Sequence, residues 1–326
     1  MDHGPVSEAL AEKIRLLRAR IEAQAIPASK LDESLNFATW NIRDFGKTRR
    51  SKDGIHLIAE ILYQFDLIAL VEVRDDLSDL GQVMRLLGPY WKVVFSDFGM
   101  DRAGNKERVA FLFDKRMVAF TGLAAEADPP KKKINGVYTE QYNWWRSPYM
   151  ASFAAGSFDF VVMAAHIRWG SSVSERQEAL KNLGDWIRKR TRNRNVLDRD
   201  WIIAGDFNIP KIGDPLYKAL AGNHLVMPKQ LEGVRYVNVA GAIRGGRSQK
   251  NYDQILHVKR VGRQTSNAAG VLDFASDNLM GRLFPNLDQK ARTYQLSDHL
   301  PLWVQINTDL DDLRLDAAIQ QNVSEQ

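Results

Sequence analysis

The sequence predicts an α+β fold in which two sheets pack face to face and helices cover their outer faces, a four-layered α/β sandwich. Two observations carry this expectation. Short apolar runs recur along the chain as strand candidates, and few amphipathic helices separate them, so most strands should pair with one another rather than cross over through a helix. With 326 residues, 44% of them apolar and 26% charged, the chain has enough apolar material for a large core.

Residues 7–25 read as a helix, because Leu10, Ile14, Leu17 and Ile21 recur at spacings of four, three and four. The stripe is narrow. It predicts packing on the body of its own domain rather than dimerisation, and a monomer is expected. Ala25 to Ser34, with Pro27, is a connector, and Leu35 to Trp40 is the first strand candidate. Ile55, Ile58, Ile61, Leu62 and Phe65 give a helix one apolar face. Leu67–Val71 reads as a buried strand, 77–87 as a helix and Trp91–Phe95 as a strand. Strands are expected at Val109–Phe113, Tyr149–Ala155 and 158–165. A helix over 174–192 turns Leu180, Leu183 and Ile187 inward, before strands at 201–204, 255–258 and 302–306. The tail after Asp309 carries a weak stripe (Leu310, Leu313, Ile319) that fits a docked helix or a frayed end. The predicted organisation is a helical extension over 1–34, one catalytic domain over 35–307 and a tail over 308–326.

Lys and Arg number 45 against 40 Asp and Glu, for a net charge of +5. A modest basic excess favours a polyanionic partner without requiring one. Cysteine is absent, which excludes disulfides, thiolate catalysis and Cys-ligated zinc. No run has signal-peptide or membrane-span character, so no membrane span and a cytoplasmic location are expected.

Polar groups recur at strand edges. Asn41 follows Phe37–Trp40, Glu72 follows Ile68–Val71, and His166 follows Val161–Ala165. Asp206 and Asn208 follow Ile202–Ala204, Asp253 precedes Ile255-Leu256, and Asp298-His299 precedes Leu300–Leu302. Alone, each has a plain reading: a solvated carboxylate, or a hydrogen-bonded histidine. Together they suit metal-assisted hydrolysis of a phosphate ester, since carboxylates hold a hard cation and an imidazole exchanges protons near neutral pH.

The strings WNIRDFG (40–46), LVEVRDD (70–76), NKERVAFLF (105–113), RSPYMASF (146–153), AAHIRWG (164–170), AGDFN (204–208), NYDQIL (251–256) and SDHLP (297–301) are arranged as in the endonuclease/exonuclease/phosphatase superfamily. The chain most resembles its deoxyribonuclease I-like branch, from about Leu35 to Ile306. GDFN and SDH recur across that superfamily, whereas EVRD, KER and R-x-P resemble the nuclease branch. The resemblance implies two packed, mostly antiparallel sheets flanked by helices. It implies Glu72 as principal metal carboxylate, with Asn41 and Asp298 near the same cation, and Asp206 and Asn208 holding metal or scissile phosphate. By the same resemblance His299 is the general base oriented by Asp253, and His166 is the second histidine with Glu107 as its partner. Arg146 would contact phosphate, and Arg43 and Arg74 nucleic acid.

Magnesium suits such an oxygen donor set, with Mn²⁺ or Ca²⁺ as alternatives; zinc suits it less, because no histidines have ligand spacing. Asn105 stands where the nuclease carries an aromatic. The segment 129–145 reads as a basic, aromatic loop, able either to grip phosphates and stack on bases or to be a solvated lysine run beside buried aromatics. Arg244, Arg247 and Lys250 could add phosphate contacts or be surface charge, and His3, His56, His224 and His257 read as structural or exposed. The expected function is a divalent-metal-dependent endonuclease acting on DNA. The alternatives are a phosphatase or phosphodiesterase acting on a phospholipid or small phosphate ester, and a catalytically inactive binding module.

Overall fold

A computed structural model describes residues 1–97, 106–142, 144–170, 172–245, 250–265, 267–311 and 315. The chain opens with α1 (Glu8–Glu22), β1 (Ser34–Phe45), α2 (Lys52–Leu62), β2 (Leu67–Val73) and α3 (Ser78–Leu87). Next come β3 (Trp91–Phe95), β4 (Arg108–Asp114), β5 (Ala119–Glu126), β6 (Lys131–Ile134), β7 (Val137–Glu140), β8 (Tyr149–Ala155) and β9 (Phe158–His166). Then follow α4 (Val173–Arg192), β10 (Trp201–Asp206), α5 (Pro215–Ala221), β11 (Leu225–Val226) and α6 (Val239–Ile243). The last elements are β12 (Asp253–Val258), β13 (Ala269–Val271), α7 (Leu279–Leu283), α8 (Gln289–Thr293) and β14 (Leu302–Asn307).

Two six-stranded sheets result, in orders β13-β14-β1-β2-β4-β3 and β11-β12-β10-β9-β8-β5. Each is antiparallel apart from one central parallel pair, β1 with β2 and β9 with β10. The alternation along β1 explains the layering. Phe37 points into the core between the sheets, while Ala38, Trp40 and Ile42 pack outward against the helices. On the first sheet α1, α2 and α3 supply that outer layer, and Leu10, Ile14, Leu17 and Ile21 are all buried in it. On the second, α4 and α5 cover the outer face through Leu180, Leu183, Ile187, Leu216 and Leu220. Between the sheets Phe111, Phe113, Phe153 and Phe160 interlock edge-on or tilted.

The four predicted layers are present, and besides the short elements α5 to α8, β11 and β13, which were not expected, two details differ. The segment 129–145 is not simply a loop: β6 and β7 form a hairpin whose residues are all exposed. Its turn is Asn135-Gly136, both at positive φ (49° and 86°), the dipeptide that two-residue hairpins favour. The edge strand β5 was not anticipated, because its mostly exposed AFTGLAAE gives no apolar alternation. Asn105, Arg247, Leu313 and Ile319 lie outside the described residues.

Candidate active site

Strand direction gathers the site. Since β1 and β2 run parallel, Asn41 and Glu72 lie towards one edge of the first sheet. Antiparallel β4 and β14 begin at that edge, which brings Glu107 there, and Asp298-His299 in the turn before β14. The second sheet repeats the logic: parallel β9 and β10 end in His166 and Asp206, and antiparallel β12 starts with Asp253 opposite Asp206. Gly205 allows the tight approach. Its φ is 130°, and a Cβ there would lie 2.1 Å from the Ala165 carbonyl oxygen.

Local backbone distortion completes the aim. Simple alternation after inward Val71 would turn Glu72 to the helix side, but Glu72 adopts φ 64° and the ladder shifts register beside it. Its carboxylate instead accepts from Asn41 Nδ2 (2.8 Å) and from the Asp44 backbone N–H (2.8 Å). The loop carrying His299 is pinned to β1, where Trp40 Nε1 donates to the His299 carbonyl (2.9 Å) and Ser297 Oγ to the Asn41 carbonyl (2.6 Å).

Two imidazole–carboxylate pairs face each other. His299 Nδ1 donates to Asp253 Oδ2 (2.6 Å) and His166 Nδ1 to Glu107 Oε2 (2.8 Å). Both remaining ring nitrogens look towards Asp206 Oδ2, at 3.9 Å from His299 Nε2 and 3.7 Å from His166 Nε2. Asn41 Nδ2 reaches the same oxygen at 3.1 Å. Apart from His166–Asp206, whose strands are neighbours in the second sheet, each of these contacts joins a residue of one sheet to a residue of the other.

The charges are strongly coupled. Burial opposes protonation of His299, but the adjacent Asp253 carboxylate outweighs it and raises the imidazole well above its usual pKa. Burial likewise opposes protonation of His166, and the Glu107 hydrogen bond with the Asp206 and Glu107 charges raises it. For Glu107, burial favours the neutral acid, yet the His166 hydrogen bond and the His166, Arg146 and Arg74 charges hold its pKa to about 2. Burial pushes Asp253 up to about 6 against the opposing His299 charge.

Glu72 and Asp206 are the pair suited to a hard cation. They approach one another across a single Asn41 amide, and among the described residues neither is paired with a lysine or arginine. Asp206, Asp253 and His299 also offer donor atoms within 4.8 Å of one another. Asp253 Oδ2 is committed to the His299 N–H, while its Oδ1 is buried without a hydrogen-bond partner.

Several expected roles meet a different geometry. Asn41, expected near a cation, has its Oδ1 accepting from the Arg43 backbone N–H (3.0 Å), while its Nδ2 braces the two carboxylates. Arg74, expected to contact nucleic acid, is buried, with Asp44 and Glu107 as ion-pair partners. Arg43 pairs with Asp298 (3.2 Å) and lies over the Tyr294 ring, its guanidinium carbon 4.1 Å from the centroid. Arg146 Nε donates to Glu107 Oε2 (2.9 Å) and its guanidinium remains partly exposed. Asn208 Nδ2 donates to the Ile167 carbonyl (2.7 Å), and its backbone N–H to Asp206 Oδ1. Trp40, Asp44 and Ser297 were missed as positioning residues, although all three lie inside the strings that carried the resemblance.

A model of the Endonuclease/Exonuclease/phosphatase family matches residues 38–299, which contain most of these groups. The chain belongs to that family. Bovine (Bos taurus) deoxyribonuclease-1 is 28% identical over 189 residues, 55% of this chain and 62% of that protein, so the match spans less than two thirds of it. The fold also resembles truncated TDP2 of Caenorhabditis elegans (14% identity, TM-score 0.56, covering 84% of this chain and 97% of that one). A mannosyl-6-phosphatase of Bacteroides thetaiotaomicron aligns similarly (16% identity, TM-score 0.55, 83% and 99%). Among the described residues, no helix is long and apolar enough to cross a membrane.

The His299–Asp253 pair makes a direct prediction. Asp253→Asn removes the largest of the charges that raise the imidazole, so burial weighs more heavily against its protonation, with Asp206 and Asp298 left to oppose it. The acid limb of the pH–rate profile should move to lower pH while kcat falls about 10²–10⁴-fold. A limb that stays in place would mean that His299 is not the group titrating.

Proposed function

We propose that this protein is a divalent-metal-dependent phosphodiesterase that cleaves DNA as an endonuclease. The observation that carries this reading is the pair of Nε2 nitrogens, each backed by a carboxylate, converging on Asp206 Oδ2 at 3.7 and 3.9 Å. In-line hydrolysis needs a base on one side of phosphorus and an acid on the other.

His299 Nε2 takes the proton from the attacking water, and Asp253 fixes the tautomer and stabilises the imidazolium that forms. Glu107 accepts from His166 Nδ1 and favours its protonated form, from which Nε2 donates to the departing oxygen. Arg146, oriented by Glu107, binds a phosphate oxygen, and Asn208 and Asp206 border the scissile group. Glu72 and Asp206 would hold the cation, Mg²⁺ by the hardness of their oxygens, and a bound cation supplies charge neutralisation at phosphate. The 28% identity to deoxyribonuclease-1 and the +5 charge support DNA as the substrate.

Supercoiled plasmid incubated with the protein and Mg²⁺ should be nicked, and EDTA should abolish nicking. Cleavage that persists in EDTA, or plasmid left intact by folded, metal-supplied protein, would refute the proposal. Duplex binding should also weaken as salt rises, because released counterions drive it.

A further inference from the structure

Beside His299 an aromatic path leaves the catalytic groups. The Tyr252 ring centroid lies 6.5 Å from that of His299 and 5.7 Å from that of Trp169, which it meets at 86°. Trp169 is half exposed (52%), with the guanidinium carbon of buried Arg176 4.0 Å from its ring centroid. Its backbone is held as well, since Arg176 donates to the Trp169 carbonyl (2.8 Å) and Ile167, two residues earlier, to the Asp206 carbonyl (2.8 Å). Arg176 also lines a cleft of about 200 Å³, together with Trp144, Trp145, Arg168 and Gly170, the two chain neighbours of Trp169 among them. There Trp145 is 62% exposed, with the Arg168 guanidinium carbon 4.2 Å from its centroid. Trp145 also has φ 63°, a conformation that a bulky side chain rarely takes. Its chain neighbour is Arg146, the proposed phosphate contact.

We propose that Trp169 and Trp145 form a stacking subsite for unpaired nucleobases beside the scissile phosphate, so that this surface binds single-stranded nucleic acid. This rests on the phosphodiesterase reading of the catalytic groups. Base pairs inside a duplex have both faces covered by their neighbours and offer only edges. An exposed indole can stack on a base only where that base has left the helix. The exposed Arg168 and Lys250 match the phosphate backbone in charge, Glu175 and Glu178 also line the cleft, and the path is continuous with the catalytic histidine. Stacking of one base on one aromatic is worth roughly 5- to 150-fold in affinity.

The test compares cleavage of a twenty-nucleotide single strand, its duplex and bis(p-nitrophenyl) phosphate, a diester without bases. The wild type should favour the single strand over the duplex. Trp169→Ala and Trp145→Ala should each lose roughly 5- to 150-fold more on the single strand than on the base-free diester, mainly through KM. Trp169→Phe should recover most of that loss, which a merely structural role for Trp169 would not give. Equal losses on both substrates, or a wild-type preference for duplex, would overturn the inference.

Tryptophan fluorescence of His299→Ala titrated with oligo(dT) separates this inference from the reaction itself. Quenching that Trp169→Ala abolishes would sustain the subsite even if no diester were cleaved, in which case only the catalytic reading fails. Absent quenching in a protein that cleaves the base-free diester would overturn the subsite alone. Absent quenching in a protein that cleaves nothing would overturn both. Tryptophan-dependent sedimentation with phosphatidylglycerol vesicles, without quenching by oligo(dT), would assign the surface to a membrane and overturn it as well.

Discussion

Replacing His299 by alanine is expected to slow DNA cleavage about 10²–10⁴-fold at neutral pH, the usual contribution of a positioned general base. The loss should fall on kcat rather than KM, because the imidazole acts on the water and Arg146 is left to hold the phosphate. The variant should fold normally. Position 299 is tied to the sheet by its backbone carbonyl, which accepts from Trp40, and alanine keeps that carbonyl. Single-turnover nicking of plasmid by wild type and variant, with matched thermal melts, checks both statements. A loss below tenfold in a folded variant would show that another group takes the proton.

Glu107→Gln should do most damage to stability. The carboxylate is buried and shared by His166, Arg146 and Arg74, and Arg74 is as deeply enclosed as Glu107 itself. Removing this charge takes one ion-pair partner from buried Arg74, which keeps Asp44, and breaking such a buried pair costs about 3 kcal/mol. At roughly 2 °C per kcal/mol for a chain of this size, Tm should fall by about 6 °C. The pH dependence gives a second readout. The folded pKa of Glu107 is depressed from 4.5 to about 2, so its stabilisation is present above pH 4.5 and fades as pH falls towards 2. The difference in Tm between wild type and variant should therefore be full at pH 7 and shrink steadily below pH 4.5. A difference independent of pH would mean that shape rather than charge at position 107 sets stability.

The regular parts of this protein were legible because periodicity reports burial directly. The stripe Leu10-Ile14-Leu17-Ile21 predicted the buried face of α1, and the apolar run at 67–71 predicted a central strand. Beta-5 was illegible for the same reason: it lies at a sheet edge, largely in water, and has no face to advertise. The Asn135-Gly136 turn was readable, but the flanking lysines and tyrosine drew attention to charge rather than to pairing. Strand ends plus the resemblance named the residues that the fold brings together, yet their orientation was not legible. That Glu72 turns inward depends on one left-handed residue, and that Arg74 is buried depends on Asp44 and Glu107, both supplied by other segments. Neither is a property of local sequence.

Three contacts of the site cross from one sheet to the other: Glu107 to His166, Asp253 to His299, and Asn41 to Asp206. The catalytic groups thus act as a caliper whose jaws are the two sheets and whose gauge block is the phenylalanine-rich layer between them. Well-packed interiors transmit changes of a single methylene. Interior residues such as Phe111 and Phe153 belong to the packing on which the spacing of these groups depends. In this fold, drift in the interior and drift in the chemistry are one process, and a neutral change in one must be neutral in both.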